Sequence, residues 1–96
     1  MRRFARVDDN QAEIVQALRK AGVVVTPMHQ LGKGVADLLC SYRQVWTVLE
    51  VKDGSKPPSA RKLTTDEARW IAAQKAPVYV VTTALEAVGL LQMVKP

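Results

Sequence analysis

This chain of 96 residues has one cysteine, one histidine, two tryptophans, two tyrosines and one phenylalanine. Each scarcity closes off a class of function. Cys40 has no second cysteine to pair with, which excludes an internal disulfide and a cysteine-based zinc site. His29 alone cannot build a histidine-rich metal site. No apolar run is long enough to cross a membrane as a helix. The first stretch, MRRFARVDDNQ, is basic and turns acidic before any apolar run, so it does not read as a signal peptide and a cytoplasmic location is expected. Ser41, Ser55 and Ser59 lack a fitting histidine–acid pair for nucleophilic catalysis. Gly32-Lys33-Gly34 lacks the longer glycine spacing and the Lys-Ser/Thr ending of a phosphate-binding loop. Internal repeats, linkers and low-complexity tracts are absent.

What is present suits one small domain. Hydrophobic residues make up 48% and charged residues 24%, an ordinary globular balance. The formal net charge of +5 permits a polyanionic partner without demanding one. Asn10 and Glu13 stand at capping-box spacing, followed by Ile14, Ala17, Leu18 and Ala21 at helical spacing, and Gly22 stops the helix. Val23–Thr26 reads as a strand ended by Pro27. Asp37–Tyr42 and Val45–Lys52 read as two further strands joined by a tight turn at Tyr42-Arg43-Gln44. Asp53–Lys62 is a loop. Thr64 caps a second helix, with Glu67 at the third position, Ala68, Ile71 and Ala72 inward and Trp70 on a flank. Val78–Val81 is a fourth strand. Thr83 and Glu86 start a short helix expected to end near Val88 at Gly89, with Leu91–Val94 as a possible edge strand. Cys40, in an apolar run, reads as a small buried hydrophobe. This order predicts an α/β fold, a mixed sheet flanked by helices.

The stretch VLEVKDG, Val48 to Gly54, carries the chemical signal. Residues two apart on a strand share a face, so Trp46, Val48, Glu50 and Lys52 lie together, with Glu50 and Lys52 about 6.6 Å apart at the backbone. In an antiparallel hairpin, Asp37 at the start of one strand lies opposite the end of the next. Two carboxylates and an ammonium then converge. Neighbouring carboxylates repel unless a proton or cation lies between them, and magnesium is the natural filler. Lys52 is left to approach an attacking water or a phosphate oxygen. Glu-x-Lys alone is common on solvated strand ends; the hairpin spacing of Asp37, with Gly34 before it, gives the pattern its weight.

These features resemble the PD-(D/E)XK nuclease superfamily, with its α-β-β-β-α-β restriction-endonuclease-like core. The signature here is Ala36-Asp37 followed by Glu50-Val51-Lys52. The stretches NQAEIVQALRKAG, LGKGVADLL, LEVKDG and PPSARKLTTDEARW resemble the small viral-type VRR-NUC and Holliday-junction-resolvase-like members along nearly the whole chain. Ala36 stands where the family name has proline, a residue that shapes backbone and ligates nothing. The resemblance implies a single VRR-NUC-like domain over 1–96 with a basic arm at 1–9 that carries Arg2, Arg3 and Arg6. It implies a metal-dependent DNA endonuclease using Mg2+ or Mn2+, selective for branched, flap or four-way junction DNA, in a bacterial or phage-infected cell. Asp37, Glu50 and the Val51 carbonyl become metal ligands, and Lys52 orients the water. Glu13 matches the acidic helix residue that many members place near the metal, although its capping position explains it equally well. Close relatives pair as homodimers, which suits a two-fold symmetric junction.

Around this centre, Lys33, Lys56, Arg61 and Lys62 are candidate phosphate contacts, which position nucleic acid without reading sequence. His29 is either an exposed loop residue or a substrate contact. Trp46 and Trp70 are expected to pack in the core or an interface. Asp53 is expected to be a turn residue. Two alternatives compete with the nuclease: a non-catalytic nucleic-acid-binding module on the same fold, and a small phage interaction protein.

Overall fold

The computed structural model describes residues 9–95. The arginines Arg2, Arg3 and Arg6 of the expected basic arm lie outside the described residues.

The first helix, α1, spans Gln11–Lys20. Ile14 and Leu18, one turn apart, are wholly buried, and Ala17 is half-buried beside them. The helix ends at Gly22, whose φ of 95° lies in the left-handed region that glycine adopts without steric cost. The Gly22 amide donates to Arg19 O and the Val23 amide to Leu18 O, both at 3.0 Å, the paired bonds of a Schellman ending. Strands β1 (Val24–Pro27), β2 (Leu38–Tyr42) and β3 (Val45–Val51) follow as an antiparallel meander. Arg43 and Gln44 form the two-residue turn between β2 and β3 with φ of 52° and 71°. Both central residues at positive φ give the twist a hairpin needs, here without the usual Asn-Gly. Helix α2 (Thr65–Ala73), strand β4 (Val78–Val81) and helix α3 (Ala84–Met93) complete the chain. β4 joins the sheet parallel to β3, and the strand order is β1-β2-β3-β4. The order read from the sequence, α-β-β-β-α-β followed by a last helix, is therefore present.

Alternation divides the sheet into two unlike faces. Val25, Leu38, Cys40, Leu49, Val51 and Val81 bury one face against Ile14, Leu18, Ala87 and Leu91 of α1 and α3. Cys40 sits inside this core, as expected. On the other face Val24, Trp46 and Val80 remain exposed, Trp46 by 71%. Of the two places expected for Trp46, core or interface, the core is excluded: alternation points it away from α1 and α3. Trp70 is half-buried.

Two other elements depart from their expected form. α3 does not stop at Gly89, and no edge strand forms at Leu91–Val94. A mid-helix glycine costs about 1 kcal/mol, but Ala87 and Leu91, four apart, both enter the core, and that burial carries the helix through. α2 buries none of its residues; Ala68 and Ala72 are exposed and Ile71 only half-buried. It is held by its capping box and by contacts with the charged end of β3.

Candidate active site

The hairpin register brings the expected cluster together. Leu38 pairs with Leu49, which sets Asp37 opposite Glu50 at the next step. The Val51 amide donates to Asp37 Oδ2 at 2.7 Å, so the first carboxylate is pinned to the strand that carries the second. Asp37, Glu50 and Lys52 are all buried, at 8%, 1% and 7% exposure. Lys52 Nζ lies 3.7 Å from Glu50 Oε2.

Lys52 also reaches a residue that the sequence reading assigned solely to a helix cap. Its Nζ donates to Glu67 Oε1 at 2.7 Å. The same oxygen accepts the Thr64 amide at 2.8 Å, while Thr64 Oγ1 accepts the Glu67 amide at 3.1 Å. One carboxylate oxygen therefore closes the capping box of α2 and holds Lys52. The capping spacing was visible in the sequence, but it carries no information about a partner fifteen residues away.

Gly34 explains how α2 comes so close. Its φ is 80°, and a Cβ there would collide with the carbonyl of Asp66 in the first turn of α2. At this glycine the backbone of α2 approaches the segment before Asp37 closely.

The cluster is electrostatically strained without a cation. Burial, then the neighbouring Asp37, pushes the Glu50 carboxyl up from 4.5 to about 9. Burial also works to raise Glu67, but hydrogen bonds from Lys52 and the Thr64 amide outweigh it and hold Glu67 below its ordinary value. The proximity of the two carboxyls works in opposite senses, raising Glu50 and lowering Glu67. Glu50 Oε1 is buried and has no hydrogen-bond partner. An unsatisfied buried carboxylate oxygen is costly to the fold and suited to a cation. Among the described residues no group of three or more His, Cys, Asp or Glu side chains is arranged to hold a metal ion. The carboxylates that could take part in holding one are those of Asp37 and Glu50, brought to adjacent strands by the hairpin; magnesium takes few protein ligands and keeps waters.

The remaining candidates are scattered. Glu13 lies on the exposed side of α1 and lines a cleft of about 580 Å³ with Asp9, Asn10, Asp53 and Ser55. Its expected place beside the metal ligands is not where the structure puts it, because helical rotation turns Gln11 and Ile14 inward and Glu13 outward. The capping reading fails as well, since Asn10 makes no side-chain cap bond. Asp53 Oδ1 accepts the Ser55 amide at 2.9 Å and the Ser55 hydroxyl at 2.7 Å, the turn role expected of it. Lys33 is exposed with φ of 54°, Lys62 is exposed, and Arg61 is half-buried with Nε unpartnered. Lys56 Nζ stands 3.7 Å from Asp9 Oδ2. His29 is half-buried, 3.5 Å from the side-chain nitrogen of Gln11.

No family model matches this chain, and no curated protein does. A solved structure described as a "VRR_NUC domain" is similar, with a TM-score of 0.58 and 24% identity, covering 90% of this chain and 98% of that one. The chain has the fold of that domain: a mixed four-stranded sheet flanked by helices.

Proposed function

We propose that this protein is a metal-dependent endonuclease that hydrolyses phosphodiester bonds in DNA. The observation that carries the reading is Glu50. Its carboxyl is buried beside Asp37 and Lys52, has one oxygen without a partner, and is driven towards the neutral form. A structural ion pair has no need of such a group. Likeness to a VRR_NUC domain supports a nuclease-like role for the same fold.

Asp37, Glu50 and the Val51 carbonyl hold Mg2+ or Mn2+ in this proposal. The bound ion supplies charge neutralisation at the scissile phosphate and hydroxide at neutral pH. Lys52, oriented by Glu67, adds positive charge where the attacking water meets phosphorus. None of the serines serves as a covalent nucleophile: Ser55 is bonded to Asp53, and His29 to Gln11. Lys33, Arg61 and Lys62 contact phosphates along the bound strand. So small a domain reads shape more readily than sequence, which favours branched, flap or four-way junction DNA.

Two copies suit such a substrate, and we assign the homodimer contact to the uncovered sheet face. Val24 and Trp46 are exposed there with uncharged Ser41 between them, so this part of the face offers nothing to phosphate, whereas exposed Val80 pairs with Glu50 at the charged end. Trp46 stands four residues from Glu50, about 13 Å along the strand, leaving the charged ends open in a pair. Sedimentation velocity should find a dimer, and Trp46→Glu a monomer. A native monomer removes this assignment.

The decisive experiment compares native protein, Asp37→Ala and Lys52→Ala on labelled duplex, single-stranded, flap and junction DNA with magnesium or manganese. Lys52→Ala should lose about a hundredfold or more in cleavage rate while DNA affinity changes little. Circular dichroism should show both variants folded. If native protein cuts none of the substrates, the nuclease reading is wrong; if Lys52→Ala cuts as fast as native, the assignment of the centre is.

A further inference from the structure

The residue just ahead of α1 reaches the far side of the sheet. Asn10 Nδ2 donates to the carbonyl of Lys52 at 3.1 Å and to that of Thr82 at 2.9 Å. These carbonyls lie just beyond the paired residues of β3 and β4, where the ladder ends at Val51 and Val81. Past that point the two strands are tied by the Lys52 amide on Val81 O at 2.9 Å and the Gly54 amide on Thr82 O at 3.2 Å. Asn10 adds both hydrogens of one amide group across the same gap. Its own helix forgoes a side-chain cap, and its Oδ1 is buried without a partner. The chain has spent its capping residue on the strand ends instead.

The next residue points the same way. Gln11 is 96% buried in the first turn of α1, with Nε2 3.5 Å from His29 Nδ1. His29 adjoins Met28, whose amide donates to the Asp37 carbonyl at 2.7 Å. Asn10 therefore grips the segment that carries Lys52, and Gln11 touches the segment bonded to Asp37. The Val51 amide on Asp37 Oδ2 also links the two halves of the candidate centre.

We infer that Asn10 is a positioning residue: its two-hydrogen donation fixes the Val51–Lys52–Asp53 backbone, and through it the direction of the Val51 carbonyl and of the Lys52 side chain. This rests on the proposed nuclease centre. Asn10 touches neither metal nor phosphate in this role, so its loss should appear as misplacement of groups that remain present. Removing such a supporting hydrogen bond beneath a metal site commonly costs about tenfold or more in metal affinity or turnover.

The test uses Asn10→Ala and Asn10→Asp in the full chain, the second keeping the shape while setting carboxylate oxygen against two carbonyls. Val23→Ala, a core truncation remote from β3 and β4 ends, serves as a control for simple destabilisation. Three quantities are read well below the melting temperature: Mn2+ affinity by electron paramagnetic resonance, kcat and KM on the best DNA substrate, and amide exchange at Gly54. Both Asn10 variants should bind Mn2+ about tenfold more weakly, lose kcat by a similar factor with KM within about twofold, and exchange Gly54 faster. Val23→Ala should melt earlier yet keep native Mn2+ affinity and kcat. Native values in both Asn10 variants overturn the inference while leaving the nuclease reading intact, as does an equal loss in Val23→Ala. Native protein that neither binds Mn2+ nor cuts overturns the nuclease reading, and the positioning role falls with it.

Discussion

Glu50 sits at 1% exposure with Oε1 unsatisfied, an arrangement that lowers stability whenever the carboxyl is charged. In the metal-free fold its value of about 9 lies above the ordinary 4.5. The folded chain therefore holds a proton that the unfolded chain releases. Raising the pH from about 4.5 towards 9 favours the unfolded state, so metal-free stability should fall across that window. Glu50→Gln removes the titration and keeps the shape. In EDTA its melting temperature should exceed that of native protein at pH 8 and vary less between pH 5 and 8, while Mn2+ binding is lost. Parallel melting profiles for the two proteins would show that Glu50 is not the strained group. The same residue marks how far the sequence could be read. Period-two alternation and the hairpin length alone place Asp37, Glu50 and Lys52 together. Glu67 was named for its cap alone, because local spacing accounts for Thr64 and says nothing of Lys52. Asn10 was misread for the same reason: its local role was plausible, and a partner 42 residues away in Lys52 or 72 away in Thr82 won.

The order of the elements was legible, α2 with its Thr64 cap included; what stands opposite each face was not. α1, β3 and β4 follow directly from apolar periodicity. α2 carries an equally clear pattern but buries nothing, so its expected inner face of Ala68 and Ala72 lies in solvent. The exposed face of the sheet defeated the core reading of Trp46 in the same way, since a large aromatic residue signals packing only when something stands opposite. For α2 the consequence is measurable. With no buried anchor, its Thr64 cap carries an unusual share of its stability. Thr64→Ala should cost the helix about 1 kcal/mol, equivalent to about fivefold faster amide exchange within 65–73. The melting temperature should move little, because the core of α1, α3 and the sheet is untouched. A uniform rise in exchange across β2 and β3 would instead make α2 part of the global cooperative unit.

Over the whole molecule, a net charge of +5 draws a polyanion from a distance, but individual cations differ in how much they can still offer. Lys33 and Lys62 are exposed, and Lys56 already faces Asp9 at 3.7 Å. Such an exposed pair contributes little to folding and is screened by salt, yet it offsets a charge that phosphate would use. DNA affinity should fall linearly with salt on logarithmic axes, and each phosphate contact removed should lower the slope by about 0.9 for duplex. Lys62→Ala should therefore weaken binding across sequences and flatten the slope. Lys56→Ala should do less in the native background. Asp9→Asn, by releasing Lys56, should tighten binding, and in that background Lys56→Ala should recover the larger effect. Fluorescence anisotropy over a range of salt concentrations measures all four variants. If Lys56→Ala has the same effect with and without Asp9, the pair does not restrain Lys56. If neither Lys62→Ala nor Lys56→Ala changes the slope, the loop after β3 is a solvated surface and DNA must be gripped elsewhere on the chain.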